Sequence, residues 1–218
     1  DVEKIDYARV MEIARERYAN AADFSFVFTG NISADSLLPK VEQYIASLPA
    51  QKGKEKQGKV LKLNDKPAVS VFEREMQQPM ATVAYMENNK SKYNLKQDLI
   101  YSIAMQVLDI VYTEEIREKD GGTYGVSTSG AIRVNPEKRA LLQIVYQTDP
   151  SRYEGLNEKI EKILQNFAVE GPSEEDVRKV KDFMIKNHKE NLQLNGYFNS
   201  AMSEYLATDL NIIDGYEE

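Results

Sequence analysis

Arg117 and Tyr124 flank a pair of glycines in EEIREKDGGTYGVSTSG, residues 114–130. Arginine carries five N–H donors in a planar fork and keeps its charge at physiological pH, and tyrosine carries one hydroxyl on a rigid arm. Seven residues apart across a glycine hinge, the two can converge on a carbonyl oxygen, or on the oxyanion that forms when a carbonyl is attacked. The same residues also have a plainer use. Arg117 in the last turn of a helix complements the negative end of the helix dipole, and Tyr124 at the head of a strand buries its ring with its hydroxyl at the rim. On spacing alone both uses stay open.

Few other groups compete for chemistry. The sequence has no cysteine and one histidine, His188, in the mid-helix stretch IKNHKENLQ. A zinc site without cysteine needs about three His, Asp or Glu ligands, commonly two histidines at i,i+4, and His188 has no second histidine to join it. We read it as an ordinary surface or interface side chain. Glu114-Glu115 and Glu174-Glu175 are neighbours on helices and so point in different directions, which suits solvated faces and caps. Gly121-Gly122 is no phosphate loop, because those glycines follow a helix C-terminus and phosphate sits at an N-terminus.

The elements that must position Arg117 and Tyr124 are legible as periodicities. LKQDLIYSIAMQVLDIVYTEEIREK, residues 95–119, carries two adjacent apolar rows at i,i+4 and predicts a helix with a broad buried face, closed by Gly121-Gly122. Alternation from Tyr124 to Val134 and from Ala140 to Thr148 predicts a long hairpin turning at Asn135-Pro136. Upstream, PAVSVFERE (67–75) and MATVAYME (80–87) read as two short strands. Downstream come a helix from Pro150 to Val169, a second capped at Ser173, and a last over 197–210. Residues 1–50 read as an α-β-α segment: a helix with Asp6 as cap, a buried strand in DFSFVFTGN (23–31), and a helix begun by Ser33 or Asp35 and ended by Pro49. Between them QKGKEKQGKVLKLNDK, residues 51–66, has the Lys- and Gly-rich composition of a linker. Strand pairs interleaved with helices predict an α+β fold, a mostly antiparallel sheet with helices layered on one face.

Composition narrows the function classes. A chain of 218 residues at 42% hydrophobic and 29% charged is ordinary for a globular protein, and a net charge of −7 argues against nucleic acid or an anionic membrane as main partner. No apolar run approaches the roughly 20 residues that span a bilayer. The chain opens on Asp1 and stops soon after a helical segment, as expected of a mature fragment or a piece of a longer protein.

IREKDGGTYGVS (116–127) resembles the arginine-to-tyrosine motif in the C-terminal half of the pitrilysin/insulinase-type zinc metallopeptidases, the inverzincins. DFSFVFTGNISADSLLPKVEQYIASLP (23–49) is similar to the strand-helix segment before that family's interdomain linker, and ENLQLNGYFNSAM (190–202) to a region after the motif in its long bacterial members. The resemblance implies a processing-peptidase-like metallopeptidase half. In that family two halves close over a peptide, and the N-terminal half carries H-x-x-E-H, which binds zinc. This sequence contains no H-x-x-E-H. The expectation is therefore the non-metal C-terminal part of a zinc endopeptidase, inactive alone. Arg117 and Tyr124 would bind the peptide or protein substrate and steady the tetrahedral intermediate. No cofactor is expected in this chain, with zinc bound outside it by the N-terminal half of the same protein or a partner subunit. The alternative is a non-catalytic relative serving as substrate-binding partner or scaffold. Residues 1–50 would end a preceding homologous domain and either fold back to complete the main sheet or swap between two copies of the chain, with 67–218 forming the next domain. Absence of cysteine fits cytoplasm and periplasm alike, and a periplasmic or cell-envelope setting is favoured over the cytoplasm.

Overall fold

The structure, a computed structural model, describes residues 2–52, 58, 66–75, 77–119, 121, 123, 125–135 and 137–208. Its contacts divide the chain into two compact units, Asp1–Val60 with Leu194–Asn211, and Leu61–Gln193 with Ile212–Glu218.

The second unit holds the sheet. Strands β1 (Ala81–Lys90), β2 (Val126–Arg133) and β3 (Arg139–Thr148) pair antiparallel in the order β1-β3-β2. The register sets Tyr85 and Thr128 opposite Ile144, and Val83 and Val126 opposite Tyr146. Because side chains alternate across a strand, these residues share one face, and Met86, Gln143 and Ser129 share the other. Helices α3 (Leu95–Tyr112) and α4 (Tyr153–Glu170) supply the rest of the core. Leu108, Tyr112, Ile116, Ile144, Tyr146, Leu156 and Ile160 are buried together, while Met86, Gln143 and Ser129 are exposed. Helix α5 (Glu174–Asn191) starts where Ser173 accepts from the Asp176 amide at 3.0 Å, and packs on α3. An antiparallel sheet with helices on one face is the α+β arrangement that the periodicities predict.

In the first unit, α1 (Tyr7–Tyr18) is capped by Asp6, whose carboxylate accepts from the amides of Ala8 and Arg9, and α2 (Ala34–Tyr44) by Ser33. Helix α6 (Asn195–Thr208) lies beside residues 24–30: Thr29 donates to the Asn195 carbonyl at 3.2 Å and Asn199 to that of Val27 at 3.5 Å.

Two expected strands are not formed. Residues 24–30 are extended but belong to no strand, and the sheet of β1, β3 and β2 does not include them. Phe24 stacks on Tyr18 with ring centroids 5.6 Å apart, and Phe24, Phe26 and Phe28 all stay exposed. Residues 67–75 likewise form no strand, and Val69, Val71 and Phe72 are exposed. Alternation decides which side chains share a face, but a strand also needs a neighbour that pairs with its N–H and C=O groups. Neither segment finds one among the described residues.

Candidate functional site

Helix α3 does not run as an α-helix to Lys119. After Tyr112 the backbone widens into a π-helical turn, Thr113–Glu118, closed by the Lys119 amide donating to the Glu114 carbonyl at 3.2 Å. Such single π turns are rare and occur frequently at functional sites. Here the turn keeps Ile116 fully buried and leaves its neighbour Arg117 exposed, with no hydrogen bond or ion pair to any described residue.

Helix α4 holds the turn in place. The Tyr112 hydroxyl donates to the Ile160 carbonyl at 3.0 Å, and the Lys159 ammonium donates to the Glu115 carbonyl at 3.2 Å. A cation on the last carbonyls of a helix is favourable for the same reason that anions suit its start. Lys119 pairs with Glu115 at 2.5 Å, and this hydrogen bond raises the lysine pKa.

The loop that follows is tied on both sides of Tyr124. Gly121 has φ +61°, in the left-handed region where a Cβ is strained, and its carbonyl accepts from Arg152 Nη1 at 3.5 Å. The Thr123 hydroxyl is hydrogen-bonded to the Gln147 carbonyl at the end of β3 and accepts from the Gly125 amide at 3.3 Å. Val126 is then buried as β2 begins. Tyr124 itself lies outside the described residues, as does Gly122. Of the two residues singled out by chemistry, the structure thus places Arg117, on the surface at the end of a buttressed turn.

The remaining candidates fall where plain uses put them. His188 is half-buried on α5, and Glu174 and Glu175 are exposed in the first turn of that helix. Among the described residues no group of three His, Cys, Asp or Glu side chains is placed to hold a metal ion. With one histidine and no cysteine, the donor set does not fit a structural or catalytic zinc site. No helix among the described residues is long and apolar enough to cross a membrane.

A feature that periodicity did not single out lies on the other side of α3. Asp109, an acidic residue inside the apolar run VLDIVY, turns its carboxylate to β2 and accepts from the Thr128 amide at 2.9 Å. The charge embedded in that run is the one trace of it in the sequence.

Comparison with known proteins follows the same residues. A family model described as the peptidase M16 inactive domain matches residues 4–184. The chain is 23% identical over 169 residues to the probable zinc protease PqqL of Escherichia coli K12, covering 75% of this chain and 18% of PqqL. Among solved structures it is similar to the periplasmic protease PqqL of Escherichia coli, with a TM-score of 0.65 at 19% identity, over 81% of this chain and 20% of that one. It is also similar to the ferredoxin protease FusC in complex with Arabidopsis ferredoxin, with a TM-score of 0.71 at 18% identity, over 96% of this chain and 23% of that one. At these identities the likeness to solved structures shows the fold. The chain spans about a fifth of the length of these relatives.

Proposed function

This chain belongs to the peptidase M16 inactive-domain family, and from that membership we propose that it is the non-metal part of a zinc-dependent endopeptidase. In this reading it binds the peptide substrate and stabilises the tetrahedral intermediate. The observation that carries the proposal is Arg117, exposed and unengaged by any described residue at the end of a π turn, seven residues before Tyr124. When water adds to a peptide carbonyl, its oxygen gains a full negative charge. The Arg117 fork and the Tyr124 hydroxyl would donate to that oxygen, and the ties made by Lys159, Arg152 and Thr123 would spare the loop reorganisation as the charge develops.

Zinc, in this reading, is held outside the chain, by the N-terminal half of the same protein or by a partner subunit. Residues 1–50 would close a preceding homologous domain, with 67–218 forming most of the next. The FusC complex supports a protein as substrate, and the periplasmic PqqL supports a periplasmic or cell-envelope setting. A second reading, a non-catalytic partner or scaffold that binds substrate, is supported by the description of the matched family as inactive. An H-x-x-E-H motif upstream in the parent gene or in an adjacent gene separates the two. The direct test is peptide hydrolysis by the full-length protein carrying Arg117→Ala or Tyr124→Phe. Near wild-type turnover in both variants overturns the catalytic role.

A further inference from the structure

The π turn gives up a main-chain hydrogen bond, and α4 supplies a replacement. In an α-helix the Lys119 amide would donate to the Glu115 carbonyl, four residues back. Here it donates to Glu114, five residues back, at 3.2 Å. The same stretch therefore closes one main-chain bond fewer than an α-helix would, and the Glu115 carbonyl loses its helical donor. The half-buried Lys159 ammonium donates to that carbonyl at 3.2 Å. A bond from a charged donor is stronger than the neutral one it replaces. The next residue of α4, Ile160, takes the Tyr112 hydroxyl on its own carbonyl at 3.0 Å, directly before the turn opens. Two consecutive residues of α4 thus fix the turn at its start and in its middle.

The register decides which way Arg117 projects. At 3.6 residues per turn, a residue five places after Tyr112 stands about 140° round the axis from it. Tyr112 is fully buried in the core between sheet and helices, so an α-helical Arg117 would face largely away from that core. A turn that holds more residues advances less with each one. It brings Arg117 back towards the Tyr112 side, where the turn touches β2, while Arg117 itself stays exposed.

We propose that Lys159 is a positioning residue: its bond to the Glu115 carbonyl holds the turn in the π register, and that register aims Arg117 at the β2 side. The functional half rests on the reading above in which Arg117 meets the reacting carbonyl. The register half rests on the hydrogen bonds alone.

The test has two arms. In the ²H,¹³C,¹⁵N-labelled 218-residue chain, through-hydrogen-bond coupling from the Lys119 nitrogen should identify the Glu114 carbonyl as its acceptor. Lys159→Met, which keeps the stem and deletes the donor, should move that coupling to Glu115, and Lys159→Arg, which keeps a donor, should leave it on Glu114. In the full-length protein Lys159→Met should lower kcat about tenfold, the worth of one charge-assisted hydrogen bond, with KM little changed. Lys159→Arg should restore most of the loss, and Lys159→Met should cost nothing further in the Arg117→Ala background. Coupling that stays on Glu114 in Lys159→Met overturns the proposal. So does a Lys159→Met loss that is as large in the Arg117→Ala background as in the parent, or unchanged kcat where Arg117→Ala alone lowers it. If the coupling moves but Arg117→Ala leaves turnover at the parent level, or the parent has none, the register role of Lys159 stands and the oxyanion reading of Arg117 fails.

Discussion

The hydroxyl of Tyr112, a fully buried residue, donates to the main-chain carbonyl of Ile160 at 3.0 Å, joining the last α-helical residue of α3 to the middle of α4. Directly after Tyr112 the backbone opens into the π turn that carries Arg117. Tyr112→Phe keeps the ring and deletes the bond, so we expect a loss of about 1 kcal/mol in urea denaturation. Because the turn is also held by Lys159, the variant should stay folded and should lose turnover less than Arg117→Ala does.

Arg117→Ala should leave stability within about 0.5 kcal/mol of the parent, since the side chain is exposed and engages no described residue. In the full-length protein the same change, or Tyr124→Phe, should lower turnover by about 10²–10³, as for loss of one oxyanion donor. The pair of measurements matters, because a fall in both stability and activity would mark Arg117 as structural instead.

At Gly130 the backbone of β2 lies against the Met105 side chain of α3. A Cβ there would lie 2.7 Å from the Leu141 carbonyl oxygen and 2.8 Å from the Met105 side chain, so one side is backbone that cannot step aside. Gly130→Ala should cost about 1–3 kcal/mol by overpacking. Gly125→Ala meets nothing within 4 Å and serves as the control, expected within about 0.5 kcal/mol of the parent by thermal or urea unfolding.

Alkaline pH should unfold the chain through its core tyrosines. Burial, with a hydrogen bond to Glu87 in the case of Tyr85, pushes the phenols of Tyr85 and Tyr146 up to about 12, and burial raises that of Tyr112 further. These groups hold their protons more tightly when folded. Their contribution is therefore complete below the ordinary value of 10 and lost as pH rises from there through the folded values. The urea midpoint should fall progressively from about pH 10 towards 12. Absorbance at 295 nm should show these three ionising only with the unfolding transition; titration together with exposed tyrosines near pH 10 would contradict it.

What was legible in the sequence were properties that reside in one element or one short motif. Apolar rows at i,i+4 define the buried face of α3, alternation defines β2 and β3, and Asp6, Ser33 and Ser173 cap the helices that follow them. Their physics is local, so spacing suffices. The Arg117–Tyr124 motif was legible for the same reason, as residue types at a fixed step. Tertiary structure decided what depends on a partner distant in sequence. The alternating aromatics of 24–30 and the apolar residues of 67–75 look like strands, yet a strand exists only beside another strand, and neither has one among the described residues. The π turn is set by contacts from Ile160 and Lys159 more than 40 residues away. The meeting of Asp109 with Thr128, 19 residues apart and on different elements, follows from how α3 lies against the edge of β2. No spacing encodes that contact, because the hydrogen bond exists only once the helix and the strand have packed.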